Sequence, residues 1–180
     1  TEVADSLVER LYEYLADHLM ASGEEDLEKW SQDDVLMITY GNSIRSENGE
    51  KPLTTLHRFL SEHLQDVITG VHILPFTPYT SDDGFAVQDY FTVNPELGDW
   101  QDIQHIAQSV HLMVDLVVNH ISSQSHWFEQ FKRQEEPGCH YFIAVDPEVD
   151  LSGVVRPRSS PLLVEVETTA GKKHVWATFS

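Results

Sequence analysis

Residues 113–120 read Met-Val-Asp-Leu-Val-Val-Asn-His, and this segment is the strongest indication of the fold. It is an apolar run, which predicts a strand buried in a parallel sheet. The run also contains Asp115 and ends in Asn119 and His120, which are polar residues that do not help to build a core. In parallel α/β barrels the active site lies at the C-terminal ends of the strands. We therefore predict that the polar side chains at the end of this run face a ligand.

Two further apolar runs precede this stretch and predict two more strands. Residues 35–40 (Val-Leu-Met-Ile-Thr-Tyr) predict a first buried strand, and residues 70–74 (Gly-Val-His-Ile-Leu) predict a second. The third strand is predicted over residues 111–118. The loop between the second and third strands is long, and long loops inside compact domains are often functional.

Helical periodicity occurs before the first predicted strand and in the intervals between the strands. Apolar residues recur every four positions over residues 3–19 and predict an amphipathic helix of about five turns. A second helix is predicted from Leu53, with Thr54 or Thr55 as its cap, and a third begins after Asp99. The order strand, helix, strand, helix, strand predicts the opening half of a parallel α/β barrel or of a doubly wound sheet.

Composition restricts the class of partner. The chain has 180 residues and a formal net charge of -19 at pH 7. Nucleic acids and anionic membrane surfaces repel such an acidic protein, so we expect neither as a partner. A single cysteine allows no intramolecular disulfide in this chain and predicts a reducing, cytoplasmic location. No apolar run reaches membrane-spanning length, and the N-terminus lacks the pattern of a secretory signal.

The loop after the second predicted strand carries Ser81-Asp82-Asp83-Gly84-Phe85. Aspartate and glycine are common turn residues, so these letters alone are consistent with a solvated turn. An aromatic ring beside a carboxylate favours a sugar site, because a sugar has an apolar face and hydroxyl donors at its rim.

A second polar motif, Arg156-Pro157-Arg158, stands out in so acidic a chain. Proline fixes the backbone, so the two arginines have defined directions. Arginine is the usual residue for bidentate contact with phosphate. On spacing alone, two surface arginines paired with acidic side chains remain an equal alternative.

Residues 113–120 resemble the first signature region of the α-amylase superfamily of glycoside hydrolases and transglycosidases (glycoside hydrolase family 13). Residues 84–99 resemble the superfamily's stretch after the second strand. Residues 156–158 and 174–180 are similar to its glucoside phosphorylase branch, which includes the sucrose phosphorylases and the glucosylglycerate phosphorylases. Within the branch, stretches such as residues 142–147 are most similar to the phosphorylases of 2-O-α-glucosylglycerate. The resemblance therefore implies that an α-glucoside and phosphate are the small-molecule partners.

The resemblance also implies a fold and a domain organisation. The chain is expected to be α/β and to form the first part of a (β/α)8 TIM barrel, with strands 1–3, their helices and the start of the excursion inserted after strand 3. Such a barrel is incomplete. Residues 1–33 would be an N-terminal helical extension, residues 34–131 the first three β/α units, and residues 132–180 a truncated excursion similar to domain B.

Roles for individual residues follow from the same resemblance. Asp82, Phe85 and His120 are expected to hold the glucosyl ring, with Asn119 beside His120. Arg156 and Arg158 are expected to meet phosphate or the acceptor, and Phe179 is expected to face the acceptor side. The resemblance implies no cofactor and no metal ion.

A retaining mechanism needs two carboxylates about 5 Å apart, a nucleophile and an acid/base. The resemblance implies a nucleophilic Asp after the fourth strand and an acid/base Glu after the fifth. Both are expected beyond residue 180, so we predict no catalytic residue in this chain and no activity for the chain alone. An open half barrel exposes strand edges. The remainder of the same polypeptide, or a homo-oligomer, is therefore expected to cover the sheet.

Alternatives to this interpretation stay open. Within the superfamily, the parent protein could be a sucrose phosphorylase or another glucosyltransferase or hydrolase. In a different class, the chain could be a non-catalytic carbohydrate-binding fragment. A dinucleotide-binding fold is excluded, because no Gly-x-Gly-x-x-Gly follows a predicted strand.

Overall fold

A computed structural model describes residues 2–21, 31–155 and 160–177 of the chain. The chain divides into two compact units, Thr1–Asp34 and Val35–Ser180. The further boundary predicted at residue 132 stays a prediction.

The first unit contains helix α1, over Glu2–Ala21. This confirms the five-turn amphipathic helix that the four-residue spacing of apolar residues predicts. Its stripe of Leu7, Leu11 and Leu15 is exposed.

A three-stranded parallel sheet begins the second unit. It consists of β1 (Leu36–Thr39), β2 (Gly70–Ile73) and β3 (His111–Val114), in the order β1-β2-β3. The strands run side by side without stagger, so that Ile38 lies opposite His72, which in turn lies opposite Met113. The three predicted strands and their parallel arrangement are confirmed. The prediction that the first strand is buried is wrong: Leu36 is 37% exposed and Tyr40 is 37% exposed, because β1 lies at an edge of the sheet.

Two helices cover one face of this sheet. Helix α2 (Pro52–Phe59) continues into a π-helical turn at Leu60–Leu64, and α3 (Trp100–Ser109) follows the long loop after β2. Side chains alternate along a strand, so Val71 and Ile73 point to this layer and are fully buried. They belong to a continuous apolar core in which the helices supply Leu53, Leu56, Leu60, Ile103 and Ile106.

The other face of the sheet is exposed. Ile38 is 62% exposed and Met113 is 42% exposed. The expectation of a buried third strand over residues 111–118 is therefore wrong in two respects. The strand ends at Val114, and Leu116 beyond it is 80% exposed. The physical reason is that β3 lies at an edge of the sheet, and no described element covers the face opposite the helices.

The two expected helix caps have different outcomes. Helix α2 begins at Pro52 after Lys51, without a side-chain cap, so the prediction of Thr54 or Thr55 as its cap is wrong. Proline suits the first helical position, because it needs no partner for an N–H group. Asp99 does cap α3: its carboxylate accepts from the N–H groups of Gln101 and Asp102, completing a capping box.

After β3 the chain forms a short helix and a second small sheet. The elements are α4 (His126–Arg133), a 3-10 turn (Gly138–His140), β4 (Ala144–Val145), β5 (Leu163–Thr168) and β6 (Gly171–Trp176). The sheet is antiparallel in the order β4-β6-β5. In the described part of the chain, no helix combines the length and the apolar character that crossing a membrane requires.

Removing the Asp99 cap is expected to loosen the start of α3. Asp99→Ala should cost about 1 kcal/mol of local stability, because two N–H groups lose their acceptor. Amide hydrogen exchange in the first turn of α3 should then accelerate roughly fivefold.

Glu96→Ala is the matched control for this cap. It removes a carboxylate three residues before Asp99. The hydrogen bond at Glu96 is donated by the backbone N–H to the Asn94 side-chain oxygen, and the substitution keeps it. Equal exchange rates in the two variants would contradict the assignment of the cap.

Candidate active site

The loop after β2 folds into a small hairpin. Tyr79 and Val87 pair as an antiparallel bridge, flanked by hydrogen bonds from the Thr80 N–H to the Ala86 carbonyl (3.1 Å) and from the Gln88 N–H to the Pro78 carbonyl (2.7 Å). Val87 is 2% exposed and anchors the hairpin. The tip, residues 81–85, therefore presents the predicted sugar-binding residues at a defined place.

The hairpin tip has an unusual backbone. Asp82 and Asp83 have φ angles of 60° and 51°, and Gly84 has a φ of 106°. Aspartate tolerates this left-handed region better than most residues, and glycine adopts it freely. A Cβ atom on Gly84 would lie 2.9 Å from the carbonyl oxygen of Pro75. The tip is thus folded back against the chain just after β2, in a conformation of the kind that clusters at functional sites.

Hydrogen bonds join this hairpin to the loop after β3. The Ser122 N–H donates to the Val87 carbonyl (2.8 Å), and the Ser122 hydroxyl lies 2.7 Å from the Thr80 hydroxyl. Ser122 is 3% exposed, so these contacts are shielded from water. The two loops therefore form one continuous structure at the C-terminal edge of the sheet.

Tyr90 makes a second connection between the same loops. Its hydroxyl donates to the Val117 carbonyl (2.5 Å) and lies 3.4 Å from the His120 carbonyl. Burial raises the pKa of Tyr90, so the phenol keeps the proton that these bonds need. The backbone that carries Asn119 and His120 is thereby fixed to the chain just after the Asp82 hairpin.

A polar pair missed by the sequence analysis joins β2 to the end of β3. His72 Nε2 lies 2.9 Å from a carboxylate oxygen of Asp115, and the two side chains are 16% and 25% exposed. Asp115 stood out in the sequence as a carboxylate inside an apolar run, whereas His72 was included in a buried strand. The alternation of side chains along a strand could have revealed His72, because a residue between two that face the helices must point to the opposite face.

Four of the seven predicted site residues lie on the two loops that these hydrogen bonds join. Asp82 and Asn119 are exposed, and Phe85 and His120 are half-buried. Arg156, Arg158 and Phe179 lie outside the described residues.

Two cavities among the described residues of the second unit lie elsewhere. One, of about 590 Å³, lies between residues 88–91 and the start of α4, with Trp127 in its wall. Another, of about 320 Å³, lies beside Val110, at the opposite end of β3. Neither is lined by a predicted site residue. The role of the residues at the C-terminal edge as part of a sugar site stays a prediction.

Comparison with known sequences identifies the family of this chain. The model of the family described as "Alpha amylase, catalytic domain" matches residues 62–167, which is more than half of the chain. Glucosylglycerate phosphorylase of Allomeiothermus silvanus is 54% identical over 151 residues, covering 84% of this chain and 27% of that protein. Sucrose phosphorylase of Streptococcus mutans is 30% identical, covering 80% of this chain and 31% of that protein.

Comparison with solved structures confirms the fold class. Sucrose 6F-phosphate phosphorylase from Thermoanaerobacter thermosaccharolyticum superposes with a TM-score of 0.68 at 30% identity, covering 86% of this chain and 32% of that one. The chain thus spans about a quarter to a third of the length of the relatives that it matches. Its parallel sheet, with helices on one face, is the first part of an α/β barrel. The chain belongs to the α-amylase catalytic-domain family.

Proposed function

We propose that the complete polypeptide containing this chain is a retaining glucoside phosphorylase that acts on 2-O-α-glucosylglycerate. The observation that carries the proposal is a difference in sequence identity. Over nearly the same part of the chain, the identity is 54% with a glucosylglycerate phosphorylase and 30% with a sucrose phosphorylase. The joined loops after β2 and β3 support it, because they bring a carboxylate, an aromatic ring and an imidazole to one edge of the sheet. Sucrose is the alternative donor.

The reaction would proceed in two displacements at the anomeric carbon. In the first, an Asp carboxylate of the enzyme bonds to C1 of the glucosyl unit, and the C1–O bond to glycerate breaks while a Glu gives its proton to the departing oxygen. In the second, a phosphate oxygen attacks C1 and releases the Asp, while the Glu takes back a proton. Two inversions give α-glucose 1-phosphate with retained configuration.

The residues of the two loops would bind and orient the glucosyl unit. The Asp82 carboxylate would accept from ring hydroxyls, Phe85 would cover the apolar face of the sugar, and His120 would donate to its primary hydroxyl. Asn119 would complete this polar wall. None of these residues would form the covalent bond, so their contribution would be to hold C1 in line with the nucleophile.

Phosphate and the acceptor would enter from the side of the excursion. Arg156 and Arg158 would provide positive charge there, in a chain whose formal net charge is -19. Both glycerate and phosphate are anions, and a planar guanidinium binds either of them through two hydrogen bonds. Phe179 would shape the acceptor side of the site.

The Asp nucleophile and the Glu acid/base would follow later strands of the complete barrel. The 180-residue chain alone would then bind without turnover. The exposed sheet face, with Ile38 and Met113, would be covered by the remainder of the same polypeptide or by a second copy. A cytoplasmic location would fit the chain's single cysteine.

Donor preference is the direct test of this proposal. The complete polypeptide, supplied with inorganic phosphate, is expected to release α-glucose 1-phosphate faster from 2-O-α-glucosylglycerate than from sucrose. Proton NMR of the product should show the α-anomer. Faster release from sucrose would select the alternative donor, and no glucose 1-phosphate from any α-glucoside would overturn the phosphorylase assignment.

The adjacent carboxylates of the hairpin tip provide a matched pair of variants. Asp82→Asn should lower kcat/KM for the glucoside roughly 10- to 100-fold, because hydrogen bonds to a charged group contribute about 1.5–3 kcal/mol. Asp83→Asn, which makes the same change in the same exposed turn, should leave kcat/KM nearly unchanged. The opposite ranking would transfer the sugar contact to Asp83.

The fold-back of the hairpin tip can be tested at Gly84. Gly84→Ala should raise the KM for the glucoside several-fold, because the new methyl group would collide with the Pro75 carbonyl and displace the Asp82 turn. Gly171→Ala is the control, since Gly171 has a similar φ of 100° but no atom within 4 Å of the added carbon. Equal effects of the two substitutions would show that the contact with Pro75 does not position the turn.

A further inference from the structure

Three side chains with metal-ligating atoms meet in the loop after α4, in the sequence Glu136-Pro-Gly-Cys139-His140. A carboxylate oxygen of Glu136, the sulfur of Cys139 and a ring nitrogen of His140 all lie within 4.8 Å of one another. Glu136 Oε1 and His140 Nε2 are 2.8 Å apart. This cluster is independent of the residues proposed to bind glucoside or phosphate.

The three donors form a set that suits zinc and similar borderline divalent cations. Thiolate, imidazole and carboxylate are the common ligands of Zn²⁺, whereas Mg²⁺ and Ca²⁺ prefer oxygen alone. Ligand atoms that lie about 2.0–2.3 Å from a tetrahedral zinc ion are about 3.5 Å from one another. The separations in this loop bracket that value, so small side-chain rotations would bring all three atoms to one ion.

The backbone that carries the three ligands is fixed against α4. The Gly138 N–H donates to the side-chain oxygen of Gln130 (3.2 Å), and the Cys139 N–H donates to the Glu135 carbonyl (2.9 Å). A Cβ atom on Gly138 would lie 2.5 Å from the carbonyl oxygen of Trp127, so only glycine allows this close approach. Little backbone freedom would therefore be lost when an ion binds, which favours affinity.

Charge and access also suit a cation. A carboxylate and a thiolate would together neutralise a divalent ion. The side chains of Glu136 and His140 are each 72% exposed, so an ion can reach the cluster from solvent. Burial and the nearby Glu136 carboxylate raise the pKa of the Cys139 thiol, so the ion would displace its proton on binding. Lys173 adds a positive charge near the sulfur, and its ammonium group donates to the side-chain oxygen of Gln134 at 2.8 Å.

We propose that Glu136, Cys139 and His140 form a binding site for Zn²⁺ or a similar borderline divalent cation, with water completing the coordination. The ion would replace the direct contact between Glu136 and His140 and would tie the loop after α4 into a closed turn ahead of β4. This site goes beyond the proposed phosphorylase function, and neither proposal depends on the other.

Cobalt provides the spectroscopic test. The complete polypeptide, reduced and freed of metal, is titrated with Co²⁺. The expected result is one equivalent bound with a thiolate-to-cobalt charge-transfer band and the intense visible bands of tetrahedral coordination, both lost on addition of Zn²⁺. Cys139→Ser should abolish the charge-transfer band, and His140→Gln should weaken Co²⁺ binding by at least roughly tenfold.

The control is a second glutamate–histidine pair. Glu62 and His63 are exposed, with 4.0 Å between carboxylate and imidazole, and their substitution by glutamine should leave the cobalt spectrum unchanged. Circular dichroism of each variant checks folding, and His140→Gln remains informative if Cys139→Ser unfolds, because His140 is on the surface. The absence of a charge-transfer band at saturating Co²⁺, or unchanged affinity in His140→Gln, would overturn the proposal.

Discussion

The burial of β2 beneath two helices sets the arrangement of the second unit. This strand is paired on both edges, and Val71 and Ile73 are fully buried beneath α2 and α3. Those two side chains fix which face of the sheet meets the helices, because a shift of one residue would turn every side chain to the opposite face. Parallel pairing then brings the ends of β2 and β3 to the same edge. His72 consequently points away from the helices, where it meets Asp115.

The candidate sugar site depends on polar contacts between loops more than on apolar packing. Ser122 bonds to the hairpin after β2 through both its backbone and its hydroxyl, and it does so while 3% exposed. Buried polar groups of this kind require their partners, since leaving one unsatisfied costs about 1–3 kcal/mol. Such contacts hold a hairpin tip whose two aspartates adopt left-handed backbone angles. Strained conformations persist only where the surroundings determine them, as they do here.

Helix α4 connects the loop of the candidate sugar site to the proposed metal site. At its beginning, the N–H of Ser125 bonds to the Ser122 carbonyl, and the Ser125 hydroxyl caps the helix. Along its length, Gln130 accepts a hydrogen bond from the Gly138 N–H, and the absence of a side chain at Gly138 lets this turn approach the Trp127 carbonyl. An ion bound by that turn would therefore stiffen a segment anchored to the same helix that supports the loop of His120. Because the two sites use different side chains, each can be tested while the other is intact.

Periodicity and short motifs predicted the three parallel strands, helices α1 to α3, the Asp99 cap and the family, since these are local properties of the chain. Resemblance also predicted the residues that the two loops bring to one edge. The exposure of β3 at the edge of the sheet could not be predicted from its residues, because burial depends on which elements pack beside a strand. It likewise revealed the partner of Asp115, the contacts of Ser122 and the backbone of the Asp82 turn. A short segment determines its own helical or extended conformation through local sterics. Contacts between residues far apart in the sequence, such as His72 and Asp115, depend on how the elements pack.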